Sequence, residues 1–428
     1  MPDIAAYSGV AMADIGSING VTAPSGGGGG YPSSSTGLLL WGYDGLPVRP
    51  IHPDLLTGGA TVQSFQLQAA FSSAVVKMVQ RAGAIMVLLS NGDLYSAGTQ
   101  ATELGRANVN NSTWTVCQTG VTDVTPMNGG FFCIKSGGLY YTGGAPSTIF
   151  GSGLSSSYYT WTQYGTDTDY LSIDGYDGFP YRLICRKGSS ESTAQLYGAG
   201  YNNFGGLGNG LTSGTQTSLT LFKTGASTDF TDYVAQLSSH PYGTGVLTTS
   251  GDIYTTGYGN YGHNMNGSNS NVTYLTQPSS STSNTWDSLW MRGIVAFAIN
   301  TSGELYASPA STFYTELSDG LSGRTLQQIG TATDWEEIHA HPYNYIYDGD
   351  DKPVMWKKGG EWGISSLNGT GWNGAKASSA TDDEGVEWKD STNIEVPVGS
   401  SQTVDHGMIV YNQQNGSTDA VGFLLHVR

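Results

Sequence analysis

Short apolar runs entering small polar turns recur along the chain. "MVLLSNG" (Met86–Gly92), "FFCIKSGG" (Phe131–Gly138), "TGVLTTSG" (Thr244–Gly251) and "AFAINTSG" (Ala296–Gly303) each end in a Ser/Asn-Gly turn. A second apolar-aromatic run follows at once: "SNGDLYSAG" (Ser90–Gly98), "KSGGLYYTG" (Lys135–Gly143), "TSGDIYTTG" (Thr249–Gly257) and "TSGELYASP" (Thr301–Pro309). Two such runs around a two-residue glycine turn predict a β-hairpin.

The hairpin is one part of a longer repeat. Leu196, Tyr197 and Gly200 add a copy, and "LLLWG" (Leu38–Gly42) and "PVMWKKG" (Pro353–Gly359) are looser ones. The tyrosine-equivalent positions Leu39, Tyr95, Tyr140, Tyr197, Tyr254, Tyr306 and Trp356 are separated by 56, 45, 57, 57, 52 and 50 residues. Farther upstream recur "TDVT", "TDYLS", "TDYVAQL", "WDSLWM" and "TDWEEIH", each pairing Asp with an aliphatic or aromatic residue before a strand. Arg81, His240 and Arg292 each stand 13 residues before the Leu or Ile of their own copy, so register is kept across half a repeat.

A unit of this size cannot bury both faces of its sheet alone, and packing neighbours radially solves the problem. The expected fold is all-β: a β-propeller of about seven blades, with six or eight as alternatives, and an extended N-terminal arm. In it, the glycine after each tyrosine is expected near the axis and the tyrosine between blades. "GLLLWGYDG" reads as the second half of a blade and "DHGMIVYNQQNGS" as a first half, followed by "AVGFLLHVR". Residues 37–428 are therefore expected to close by pairing of the two ends, which hides the edge strands.

Composition agrees. Charged residues are only 12%, while 62 glycines and 26 tyrosines favour turns and strands over helices. A formal charge of −17 repels phosphate backbones and anionic bilayers, so neither nucleic acid nor membrane is expected as a partner. Cys117, Cys133 and Cys185 are too few for a disulfide framework. The first basic residue is Arg49 and no apolar run approaches a span, so neither an ordinary export signal nor a membrane helix is expected.

"LYGAGYNNFGGLGNG" (Leu196–Gly210) is glycine-rich enough to suggest a phosphate cradle. From Gly198 the sixth position is Asn203, however, and no lysine occurs until Lys223, so neither nucleotide-loop pattern is met. The stretch instead resembles the signature of the regulator of chromosome condensation repeat, through Leu196, Tyr197, Gly200, Asn202, Gly205, Leu207 and Gly208. "LYSAGTQATELGR", with Leu104 and Gly105, is a weaker copy, and "IYTTGYGNYGHN" keeps the first part. The resemblance implies a seven-bladed propeller over roughly residues 37–428, without implying a specific activity.

Residues 1–36 differ. "IAAYSGVA" and "IGSINGVT" align at an offset of 11, and "APSGGGGGYPSSST" follows with five consecutive glycines. Residues 1–24 are expected to form an anchoring arm and residues 25–36 a flexible or extended tether. Ile4, Tyr7, Val10, Ile15, Ile18 and Val21 are the expected partner-anchoring residues. The Ile-x-x-apolar-Asn-Gly-Val pattern is similar to amino-terminal segments of tailed-phage virion proteins, which implies assembly in the host cytoplasm with other virion proteins, in multiple copies on a symmetric particle.

Other chemistry finds little footing. His339 and His341 would share one strand face, but no third zinc ligand stands at a recognisable spacing, and His–Pro–Tyr recurs at His240 as a repeat feature. "DGDD" (Asp348–Asp351) and "TDDEG" (Thr381–Gly385) lack the spacing of a calcium loop. No catalytic residue, metal or cofactor is expected. Tyr158, Tyr159, Trp161, Tyr258, Tyr261 and Trp372 fall in variable loops and are candidate contacts for a receptor or glycan. The expected function is that of a non-enzymatic virion component (tail fibre, neck, tail or capsid-associated) for adhesion or assembly. A free protein- or glycan-binding propeller is the alternative, and a glycan hydrolase with axial carboxylates a third reading.

Overall fold

The computed structural model describes residues 17–18, 21–22, 37–42, 62–69, 71, 73–81, 83–98, 101–107, 111–127, 129–144, 157–176, 181–240, 242–260, 262–292, 295–308, 313–315, 318–321, 323–340, 353–359, 361–366, 404–414 and 417–427. Among them, seven antiparallel sheets of three or four strands follow one another along the chain. The second comprises Val75–Arg81, Ala84–Leu89, Leu94–Gly98 and Asn111–Gln118. The third comprises Val121–Met127, Gly130–Lys135, Gly138–Gly143 and Tyr158–Tyr164. The fourth comprises Tyr170–Tyr176, Arg182–Lys187, Gln195–Tyr201 and Thr215–Leu221. The fifth holds Val234–His240, Gly243–Thr248, Ile253–Gly257 and Val272–Thr276. The sixth holds Trp286–Arg292, Val295–Asn300, Leu305–Ser308 and Gln327–Gln328. Trp335–Ala340, Pro353–Lys358 and Glu361–Ser366 make the seventh.

The first sheet draws on both ends of the chain. Its order is Val404–Gln414, Ser417–Val427, Gly37–Gly42, Val62–Ala69, and Gly37 to Gly42 pair with Val427 to Gly422. The leading strands of the seven sheets touch in chain order, and Trp335–Ala340 of the seventh touches Val404–Gln414 of the first, which in turn touches Val75–Arg81 of the second. The cycle of contacts returns to its start. The fold is a β-propeller.

The repeat follows from packing on both sides of each sheet. In the second sheet, Ile85, Val87 and Leu89 join a buried cluster with Met408 of the first sheet, while Ala84, Met86 and Leu88 join one with Val124, Phe131 and Cys133 of the third. In the third, Phe131 and Cys133 face back while Phe132 and Ile134 face forward onto Leu183 and Cys185. The second strands of these two sheets are covered on both faces, which is why Ala84–Leu89 is apolar without interruption and Phe131–Ile134 likewise. Each fully buried residue of this kind contributes roughly 1.5–3 kcal/mol.

The paired Leu/Ile and Tyr after the turn divide the same way. Leu94, Leu139, Leu196, Ile253 and Leu305 lie in the cluster shared with the following sheet; Tyr95, Tyr140, Tyr197, Tyr254 and Tyr306 pack on the cluster shared with the preceding one. Tyr254 meets Phe230 edge-on at 5.3 Å and Tyr306 meets Trp286 at 5.1 Å.

The turn glycine also links sheets. The carbonyls of Gly92, Gly137, Gly251 and Gly303 accept the backbone N–H of Val121, Tyr170, Trp286 and Trp335, the first residue of the next sheet in each case. The glycine at or next to the end of the third strand is fixed by backbone approach. Gly98, Gly143, Gly200 and Gly257 have φ of 145°, 122°, 113° and 123°. A Cβ there would come within 2.0–2.4 Å of a carbonyl oxygen in the turn between the first and second strands. Positive φ and that close approach together require glycine.

Leading strands of neighbouring sheets contact one another without forming a common sheet, and polar side chains supply the bonds between them. Asp123 accepts Lys77 Nζ of the second sheet at 2.8 Å through Oδ1 and the Ile173 N–H of the fourth at 2.8 Å through Oδ2. Asp174 accepts the Ser239 N–H at 2.6 Å. Gln236 exchanges two bonds with the Leu289 backbone, at 2.7 and 2.9 Å.

Candidate functional site

The glycine-rich stretch that resembles the chromosome-condensation repeat forms the clasp between the fourth and fifth sheets. Asn202 is fully buried; its amide donates to Asn209 Oδ1 and the Leu211 carbonyl at 3.1 Å, and its oxygen accepts the Leu207 N–H at 2.9 Å. The loop so fixed drives Leu207 into the cluster with Phe222, Val246 and Leu275. Two hydroxyls of the fifth sheet then hold it, Thr256 to the Gly205 carbonyl and Thr244 to that of Gly206, both at 2.8 Å. The corresponding loop of the fifth sheet is held by Ser308 of the sixth, which donates to the Gly262 carbonyl.

Beneath this junction lies Arg182, with a relative exposure of 0%. Its Nη1 donates to the carbonyls of His240 and Gly243 at 2.9 and 2.7 Å, and its Nη2 to that of Tyr201 at 3.1 Å. Burial pulls its pKa down to about 9, so the guanidinium remains charged at neutral pH. The space comes from Gly206, where a Cβ would stand 2.4 Å from Nη2. His240 and His263 pack against each other with ring centroids 3.8 Å apart and planes tilted by 55°. Burial, reinforced by Arg182, drives His263 down to about 3 against a backbone bond to Tyr258, and the ring is neutral. His240 Nδ1 accepts the Tyr242 N–H at 3.2 Å, which explains His–Pro–Tyr structurally: the histidine fixes where the tyrosine emerges.

Above these groups four aromatic rings converge. Phe204 lies 4.4 Å from Tyr258, 5.5 Å from Tyr242 and 6.2 Å from Tyr201, and Tyr242 lies 5.6 Å from Tyr258, by ring centroids. All four are half-buried. The exposed Asn203 and Asn260 donate to the hydroxyls of Tyr201 and Tyr258, each at 2.6 Å. This constellation is the candidate site.

Of the residues singled out from sequence, Tyr258 belongs to this cluster. Tyr158 packs on the core between the third and fourth sheets and meets Tyr141 edge-on at 6.2 Å. Trp161 packs on the core between the second and third, over Gly105. Tyr159 is 38% exposed. Ile18 and Val21 pair in a small hairpin, Ser17–Ile18 with Val21–Thr22. Ile4, Tyr7, Val10, Ile15, Tyr261, Trp372, His341 and the two acidic stretches lie outside the described residues. His339 contacts Glu337 at 3.1 Å, and among the described residues no group of three or more His, Cys, Asp or Glu is placed to hold a metal. Phe204 and Tyr242 were not singled out, because 38 residues separate them; their shared signal is the aromatic next to the loop glycine and the one after His–Pro.

Sequence comparison finds no matching family model and no matching curated protein. Solved structures do match. Human WBSCR16 superposes with a TM-score of 0.62 at 11% identity, covering 92% of this chain and 99% of that one. Prp20p from Saccharomyces cerevisiae gives 0.62 at 10% identity over 92% and 91%, and yeast RCC1 (Prp20), solved with Kap60, gives 0.60 at 10% over 92% and 89%. At such identity the likeness is one of fold: this chain shares the RCC1-like propeller architecture.

Proposed function

We propose that the protein is a non-enzymatic binding scaffold carried on a tailed-phage virion, whose propeller offers one face to a partner. The observation that carries the scaffold reading is the half-buried aromatic cluster at the junction of the fourth and fifth sheets, held rigid from below by Arg182 and from the side by Asn203 and Asn260. Its fold relatives include binding proteins: Prp20p was characterised for binding Gsp1p and histones, and yeast RCC1 was solved bound by Kap60. Nucleic acid is a poor partner for a chain of charge −17.

Support for the virion half comes from sequence. The paired units at Ile4–Ala11 and Ile15–Thr22, set before a five-glycine tether, suit an arm that docks on other virion proteins while the propeller projects. Many copies on a symmetric particle would make weak contacts effective through avidity. The test compares the full chain with a variant lacking residues 1–36 in purified particles. The full chain is expected to copurify; the truncated one is expected to melt at the same temperature and be missing from particles. Undiminished incorporation of the truncated chain overturns the anchoring role, and absence of the full chain from particles overturns the virion assignment.

A further inference from the structure

We infer that Tyr201, Phe204, Tyr242 and Tyr258, with Asn203 and Asn260, bind an uncharged carbohydrate, a neutral hexose or N-acetylhexosamine chain laid across the junction of the fourth and fifth sheets. This rests on the scaffold reading and names its ligand class.

Residues 196–222 and 253–286, which supply most of this junction, contain no Asp, Glu, Lys or Arg, in a chain that carries thirty-four acidic and seventeen basic residues. Two charged side chains hydrogen-bond to the loops 201–210 and 258–267 among the described residues. Arg182 is wholly buried and faces carbonyls below, and Arg324 reaches the Asn260 carbonyl at 3.2 Å from the edge. Apart from Arg324 at the edge, these loops meet no other unburied charge through a hydrogen bond among the described residues, so the surface gives phosphate, sulfate or carboxylate no converging cations and a basic peptide nothing to pair with.

A pyranose ring has an apolar face of C–H groups and an equatorial belt of hydroxyls. Aromatic rings offer the matching apolar surface with a polar rim, and a primary amide both donates and accepts, as a hydroxyl belt requires. The cluster sets Tyr201, Tyr242 and Tyr258 around Phe204 at centroid separations of 4.4–6.2 Å and flanks them with two exposed amides.

Asn203 is fixed twice, through Tyr201 and through the Gly214 N–H, accepted at 2.9 Å. Tyr242 is fixed through His240, and Phe204 sits on the loop that Asn202 pins. Rings already held in place lose little freedom on binding, which raises affinity for a flexible ligand.

The test presents the full chain to an array of neutral hexose and N-acetylhexosamine oligosaccharides, beside sialylated, uronic-acid and sulfated ones and a proline-rich peptide. Binding to neutral members is expected, weakened at least tenfold by Phe204→Ala and by Tyr242→Ala. Asn260→Ala, which removes one exposed amide and no core contact, is expected to weaken it severalfold with an unchanged melting temperature. Tyr233→Ala, an exposed tyrosine at the opposite end of the sheets, is expected to leave it unchanged. No binding to any neutral member, preference for anionic glycans or for the peptide, or indifference to Phe204→Ala and Asn260→Ala in folded protein, each overturns the inference. The variants are expected to enter particles normally and the arm-deleted chain to bind the same glycans, so failure here leaves the virion reading standing, and the reverse.

Discussion

Arg182 of the fourth sheet donates Nη1 to the carbonyl of His240 in the fifth at 2.9 Å, with neither residue exposed to water. A charge buried in this way is tolerable only because oriented carbonyls replace its lost hydration. Its removal takes a charged donor from three backbone carbonyls in one place. Arg182→Met is expected to lower stability by about 2–4 kcal/mol, and Arg182→Lys to recover part of the loss by keeping charge without the planar fork. Urea denaturation of the three proteins measures both.

Buried His263 gives an acid response. His263 is held near 3, below the ordinary imidazole value, by burial and by Arg182. Between that value and about 6.5 the unfolded chain takes up a proton that the folded chain refuses. The group's contribution is thus whole above the upper value and is lost as pH falls toward 3, by at most about 1.4 kcal/mol per pH unit. His263→Gln is expected to flatten the dependence of the denaturation midpoint on pH between 6.5 and 4. An unchanged slope would mean that other groups dominate acid unfolding.

Two glycines with positive φ separate strain from collision. At Gly257 a Cβ would stand 2.2 Å from the Tyr242 carbonyl oxygen, whereas at Gly165, φ 66°, it would meet nothing within 4 Å. Gly165→Ala is expected to cost about 1 kcal/mol, the strain alone, and Gly257→Ala more than about 2 kcal/mol because backbone must move as well. Thermal melts of the pair provide the comparison.

Asp123 bridges three sheets through one carboxylate. Asp123→Ala leaves the Ile173 N–H and Lys77 without that acceptor and is expected to destabilise by about 2–3 kcal/mol. Asp123→Asn keeps one acceptor and is expected to lose less. A double variant with Lys77→Met would show whether the ion pair or the backbone bond carries the larger share.

The sequence reveals the scaffold because the scaffold is periodic. Leu94 and Tyr95 are adjacent, point to opposite faces of one strand, and recur because every sheet meets a neighbour on each face. Cys133 and Cys185 stand in the same recurring apolar runs and are buried with them; burial pushes the Cys185 thiol up to about 12. The aromatic cluster was hidden because it is assembled from three segments: one after a third strand, one after the His–Pro turn and one in the next repeat. Arg182 was hidden for the opposite reason. Its position is glycine in the next sheet, Gly243, so a period search discards it as a departure from the pattern, although that departure is what fills the junction.

Gly37–Gly42 lies between Ser417–Val427 on one side and Val62–Ala69 on the other, with hydrogen bonds to both. A pull applied at Gly37 and directed along the strand loads both ladders in shear at once instead of peeling bonds one after another. Were the protein anchored through the segment that precedes Gly37, this strand would resist detachment and mechanical failure would be expected elsewhere first.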